Sequence, residues 1–190
     1  MRKLRSIFFL AGICFIVSSA RAQNDKDQAA QARMDYSTPG EGQKLIEKLA
    51  GDWKAEISEY RDRTKPMVKS SATVHNEMIM GGRYLSMHCT GTMMGMPFEG
   101  MGTMALNNGT HKYYSTWIDN MSTGIFYMEG FRNVEASALH FKGTGYDPVQ
   151  KKEVNMRQMI DINSATDITI EFSLDINGVD FQFMDIHLTR

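Results

Sequence analysis

Two cysteines, Cys14 and Cys89, leave this 190-residue chain almost without thiol chemistry. Cys14 lies in an N-terminal segment that reads as a removable leader. Cys89 then stands alone, and no disulfide can form within the rest of the chain. Stability must come from an ordinary core. Other absences narrow the chemistry further. His75, His88, His111, His140 and His187 are dispersed, with no Cys-x-x-Cys or His-Glu-x-x-His to organise zinc. There is no Gly-x-Ser-x-Gly nucleophile elbow and no phosphate-cradling glycine loop, although composition does not exclude a Ser/His/Asp triad. The stretch from Asp175 to Asp180 superficially resembles a calcium loop, but the alternation around it makes it a hairpin. No internal repeat of fixed period is present.

Residues 1–22 have the layout of an export signal. Arg2, Lys3 and Arg5 precede an apolar run from Ile7 to Val17, and Ala20-Arg21-Ala22 forms a small-x-small cleavage site before Gln23. The run is well short of the ~20 residues of a spanning helix, so no integral membrane span is expected. Ile13 is bulky where a lipid-attachment site before Cys14 would carry a small residue, which favours cleavage after Ala22 and export to the periplasm or beyond. The leader holds four basic residues and no acid, so 17 basic face 22 acidic groups in the remainder, a net charge of −5. Such a chain carries no electrostatic footprint for nucleic acid or anionic lipid.

Residues 23–38 are polar, rich in Gln and Ala, and read as a flexible linker. Residues 39–190 read as one domain. Pro39 to Ala50 predicts a short helix, with Leu45, Ile46 and Leu49 at helical spacing and Gly51 as its stop. From Trp53 the period changes to two. Ile168, Ile170, Phe172, Leu174 and Ile176 alternate with polar residues, and Asn177-Gly178 then supplies a tight hairpin. Further turn signals at Met80-Gly81-Gly82, Gly95-Met96-Pro97, Asn107-Asn108-Gly109, Ser122-Thr123-Gly124 and Asp147-Pro148 divide the chain into about ten strand-length segments. No helical pattern interrupts them. An all-β, up-and-down antiparallel barrel of about ten strands follows, because closure removes both sheet edges.

Leu49-x-Gly51-x-Trp53, Gly81-Gly82-Arg83-Tyr84-Leu85, Phe98-Glu99-Gly100-x-Gly102 and Tyr113-x-Ser115-Thr116-Trp117-Ile118-Asp119-x-Met121 resemble a bacterial domain-of-unknown-function family of secreted, lipocalin-like (calycin) barrels. Gly130, Asp147-Pro148 and the ending Leu188-Thr189-Arg190 fit as well, and the resemblance spans roughly residues 41–190. One departure is Ala105-Leu106-Asn107-Asn108, where family members often carry Gly-Tyr-Asp. The resemblance implies a barrel and no assigned catalytic residues. It also implies structural roles for Gly51, Trp53 and Arg190, with an arginine from the last strand packed across the tryptophan at the closed end.

Several side chains suit a site. Tyr113, Ser115, Trp117 and Asp119 share one strand face, which Ile125, Tyr127 and Glu129 on the next strand are expected to extend. Arg157 on a later strand is expected to pair with an acid. The face either lines a cavity or holds a buried ion pair in a filled barrel. Together Trp117, Asp119, Tyr127, Glu129 and Arg157 form a candidate ligand-binding set, apolar with a few polar anchors. In the last segment Phe181 and Phe183 alternate, then Met184, Ile186 and Leu188 take the opposite parity. Either a β-bulge resets the register, or Asp185 and His187 line a polar barrel mouth as catalytic candidates. Fifteen methionines follow the initiator, and six between Met87 and Met104 crowd two hairpins with His88 and Cys89. They suit an adaptable apolar lining or, alternatively, soft-metal or haem binding.

The reading favours a non-enzymatic exported barrel that binds a small, largely apolar molecule. The alternatives are an envelope enzyme of isomerase or hydrolase type and a metal or haem binder. No metal and no cofactor is predicted, and the sequence leaves ligand identity and oligomeric state open.

Overall fold

A computed structural model describes residues 24–60, 64–93, 95–133, 137–148, 150–176 and 178–190. The expected leader, with Cys14 and the expected cleavage site, lies outside the described residues, as do Met94 and Asn177. The chain divides into two units, Met1–Thr38 and Pro39–Arg190. In the first, residues 24–37, within the expected flexible linker, form a helix (α1) whose residues are all exposed. No helix among the described residues is long and apolar enough to cross a membrane.

The second unit opens with a short helix, α2 (Glu41–Glu47). Ten strands follow: β1 (Gly51–Glu59), β2 (Val68–Ile79), β3 (Tyr84–Met93), β4 (Met96–Asn107), β5 (Lys112–Asp119), β6 (Phe126–Asn133), β7 (Ala138–Asp147), β8 (Lys152–Ser164), β9 (Asp167–Ile176) and β10 (Val179–Thr189). Each is antiparallel to the next, and β1 pairs with β10, so the sheet closes into the expected ten-stranded barrel. Closure sets Ala55 opposite Leu188, Ile57 opposite Ile186 and Glu59 opposite Met184. Directly opposed residues share a face, so these pairs define the interior around the seam.

The two ends of the barrel differ. At the end where β1 begins, α2 lays Leu45 and Ile46 onto the core with Leu85, Met104 and Tyr113. The buried Gln43 anchors this plug: its amide donates to the Leu106 carbonyl at 3.2 Å and to Asn108 at 3.0 Å, and its oxygen accepts from the Gly40 N–H at 2.8 Å. A buried amide so fully paired carries little desolvation penalty.

Trp53 begins the inward face of β1. Its indole N–H donates to the Leu49 carbonyl at 3.0 Å, which also accepts from the Asn76 amide at 3.0 Å. The Arg190 guanidinium carbon stands 4.1 Å from the centre of the indole. Arg190 also donates to the carbonyls of Ala50 and Ala165, each at 2.8 Å. Gly51 has φ 123°, and a Cβ there would stand 2.2 Å from an Arg190 guanidinium nitrogen. Only glycine permits both that backbone and that approach.

Candidate functional site

The register shows which side chains share the interior at the opposite end, where β1 stops. Trp117 faces Gly102 and Phe126, and Met156 faces Gly143 and Leu174. Phe172 faces Met184, which in turn faces Glu59. These inward residues are only half-buried, whereas Leu85, Leu139, Phe141, Ile160 and Ile168 deeper in the barrel are at most 2% exposed. Packing is tight near the plug and looser among these residues at the other end, the candidate cup, where Phe98 and Val154 are nonetheless buried.

Glycines shape the wall of this cup. A Cβ at Gly100 would stand 2.3 Å from Trp117 Cζ2, and one at Gly102 would stand 2.9 Å from Trp117 Cε3. The indole therefore lies flat along β4 instead of crossing the cup. A Cβ at Gly145 would likewise meet the Met156 sulfur at 2.5 Å. Trp117 is held by Asp119: the indole N–H donates to one carboxylate oxygen at 3.1 Å, and the other accepts from the Met121 backbone at 3.0 Å.

Trp117 and Asp119 thus line the interior as a pair, but the other expected ligand residues do not join them. Tyr127 faces Thr116 and Thr144, Glu129 faces Tyr114 and Lys142, and Arg157 faces Lys142 and Ser173, all on the outer surface. The parity of β6 is the reason: both its faces carry aromatic residues, and the pairing turns Phe126 and Met128 inward. Outside, Glu129 pairs with Lys112 at 2.8 Å and accepts from the Tyr127 hydroxyl at 3.1 Å. Those two contacts, the lysine first, hold its carboxyl below the usual range. Arg157 pairs with Asp180.

Asp185 and His187 are also on the outer face. The ladder between β9 and β10 shifts between Gln182 and Met184, so a bulge explains the change of parity and brings Met184, Ile186 and Leu188 inward. Asp185 accepts from the Tyr60 hydroxyl at 2.8 Å, while His187 lies 3.0 Å from Asp167. The two do not orient each other, and no polar catalytic mouth forms from them.

The methionine-rich hairpins are divided by the sheet. Met87, Cys89 and Met104 face the interior and Met96, exposed at the hairpin end, shares their parity, whereas His88 and Met101 belong to the outer side. Strand alternation separates the soft ligands that looked clustered along the chain. Among the described residues no group of three or more His, Cys, Asp or Glu side chains could hold a metal ion. Burial pushes the Cys89 thiol up to about 11, which makes it a poor ligand or nucleophile.

A groove of about 440 Å³ runs over the outer wall beside Asp52, Lys54, Thr73, His75, His88 and Thr90. Its polar groups already pair with each other or with neighbours: His75 with Asp52 at 2.6 Å, His88 with Glu99 at 3.2 Å, Thr73 with Thr90 at 3.0 Å. Trp53, Val74, Thr189 and Arg190 complete its lining.

The cup contains polar groups that the sequence reading missed. Glu59 continues the inward series Trp53, Ala55, Ile57, and Ser70 on β2 lies opposite Ile57. Glu59 Oε1 and Ser70 Oγ are shielded from water and have no hydrogen-bond partner. The signal was present: Glu59 is a carboxylate in the apolar parity of its strand.

These features define a closed, ten-stranded antiparallel barrel with a short helix packed on its core at one end. The chain belongs to the family described as Protein of unknown function (DUF1579), which matches residues 38–190. Among solved structures, the chain is similar to Rv2717c from M. tuberculosis, at 12% identity and a TM-score of 0.57, over 80% of this chain and 99% of that one. At that identity the likeness concerns the fold alone. A redesigned β-barrel aligns at 14% identity over 77% of this chain and 94% of its own, with a TM-score of 0.40. No curated protein matches this sequence.

Proposed function

We propose that this protein is an exported, lipocalin-like barrel that binds a small, largely apolar molecule in its open half. The observation that carries the reading is the contrast in packing along the barrel. Inward aromatic, leucine and methionine side chains stay half-exposed at one end, while the core at the other end is closed. A concave, mostly apolar surface with a few fixed polar groups is the usual form of a small-molecule site. Trp117, Phe126, Met156, Phe172 and Met184 supply the apolar wall, and Asp119 and Glu59 supply the polar groups. Export rests on the basic, apolar and small-residue pattern of residues 1–22.

The test uses the two tryptophans, one at each end of the barrel. An apolar ligand should change the fluorescence of Trp117 and leave that of Trp53 unchanged. Titration of the wild type and of Trp117→Phe with a twelve-carbon alcohol separates the two signals. Native mass spectrometry of protein purified from its host's envelope should show a bound mass and an N-terminus at Gln23. No bound mass and no Trp117 response would overturn the binding reading. Retained residues 1–22 would overturn the cleavable leader.

A further inference from the structure

The polar equipment of the cup selects a ligand head group. Glu59 and Ser70 lie on adjacent strands of the inner face, diagonal neighbours two ladder positions apart: Ser70 faces Ile57, and Glu59 faces Val68. Both side chains are partly exposed, yet Glu59 Oε1 and Ser70 Oγ are hidden from water and lack any partner. A shielded carboxylate oxygen without a donor is costly, and the cost is relieved when a donor arrives. Trp117 and Asp119 come from β5, across the barrel from β1, and Asp119 is already occupied by its indole and backbone donors. Glu59 therefore has the free accepting capacity.

The sign of the charge is as informative as the hydrogen bonding. Short of the rim pair Asp147 and Lys152, the charged side chains that face inward in this half, among the described residues, are Glu59 and Asp119. Both are acidic. An incoming carboxylate would meet two like charges, whereas an ammonium group would meet an unpaired acceptor and a hydroxyl.

We infer that the cup is built for an apolar molecule ending in a hydrogen-bond donor, and above all a cationic amine, with Glu59 and Ser70 as its anchor. The inference rests on the binding reading above and specifies its ligand class. The apolar tail would lie along Trp117, Phe172 and Met184, with the head turned toward the β1–β2 wall. Rotation of the flexible Glu59 side chain brings its oxygen to the head group without disturbing the sheet.

Three probes with the same tail separate the possibilities: dodecylamine, dodecanol and dodecanoate, each below its micelle-forming concentration and titrated by Trp117 fluorescence. Dodecylamine should bind about tenfold or more tighter than dodecanoate, the size expected for a hydrogen bond to a charged group, with dodecanol between them. The preference should persist at high salt, because the anchor is shielded. Glu59→Gln should remove most of the amine preference and change dodecanol affinity by less than about twofold, as the apolar wall is intact. Ser70→Ala should weaken amine and alcohol together. Circular dichroism confirms that each variant is folded. Equal affinity for amine and dodecanoate, or an undiminished preference in the folded Glu59→Gln protein, would overturn the anchor and leave the cup standing. Failure of all three probes to bind would overturn the cup itself.

Discussion

The Trp117 indole occupies the space that a side chain at Gly100 would need: a Cβ there would stand 2.3 Å from Trp117 Cζ2. The Gly100-x-Gly102 and Thr116-Trp117 motifs, far apart in the sequence, are two halves of one packing feature. Gly100→Ala should therefore destabilise the barrel by about 2 kcal/mol, as overpacking generally does. For a domain of this size that is roughly a 4–8 °C loss in Tm. Combining it with Trp117→Phe should recover part of the loss, since neighbouring sites are non-additive. Additive losses in thermal melts would show that the two positions are not coupled.

Arg190 closes the opposite end. Truncation to alanine removes the cation–π contact with Trp53 and the donors to Ala50 and Ala165. We expect a loss of about 1–2 kcal/mol by urea unfolding. Arg190→Lys should restore only part of it, because an ammonium lacks the planar fork that stacks and donates in two directions. Ligand binding in the cup should be unaffected by either change.

Cys89 should behave as a core residue. It is 8% exposed and its thiol is pushed up to about 11 by burial alone. Iodoacetamide at pH 8 should leave the Cys89 peptide unmodified in the folded protein and modify it fully in urea, as read by peptide mass mapping. Rapid modification of the native protein would mean that the wall at β3 opens.

The His75–Asp52 pair predicts a pH dependence. The hydrogen bond to Asp52, then its charge, raises the His75 value above the ordinary 6.5. A raised histidine stabilises the fold most at pH below its unfolded value, and the contribution is lost as pH rises through the folded value. Asp52→Asn should lower the His75 titration midpoint measured by NMR. It should also flatten any decline in Tm above pH 6.5. The pair is exposed, so the effect on Tm should be small.

Glu171 has the opposite character. It faces Asp185 across the ladder on the outer wall, and burial first, then the charges of Asp185 and Asp161, raise its carboxyl above the usual value. An acid raised on folding binds its proton better in the native state, so its ionisation costs stability as pH rises through that raised value. Glu171→Gln should stabilise the protein by about 0.5 kcal/mol at neutral pH, the size of a cross-strand like-charge repulsion. The gain should vanish near pH 3. An unchanged Tm at pH 7 would count against the repulsion.

The fold was readable because closed barrels write their pattern plainly. The alternation in β9, the glycine turns and the helical spacing of Leu45, Ile46 and Leu49 each declare their elements locally. The reversal of parity from Phe183 to Met184 was visible too, but it left a bulge and a polar mouth both open. The register shift between Gln182 and Met184 decided for the bulge. The candidate site was less legible. In and just before β6, Ile125, Tyr127 and Phe131 alternate as convincingly as Phe126 and Met128, so the sequence alone points to either face. Pairing of Trp117 with Phe126 decides it, and with it the outward placement of Tyr127 and Glu129.

By itself, the sequence determined the all-β class, the division into about ten strands, the short N-terminal helix and the shared strand face of Trp117 and Asp119. These follow from period, turn chemistry and parity, which are properties of neighbouring residues. Only the tertiary structure decided what lies across from what. Closure of β1 on β10 brought Arg190 onto Trp53, and ladder register divided the methionines between two faces. Glycines on β4 laid Trp117 against the wall, and Glu59 was left facing inward with one carboxylate oxygen unpartnered. Those are relations between distant strands, set by register and by the space side chains leave one another, and no local pattern encodes them.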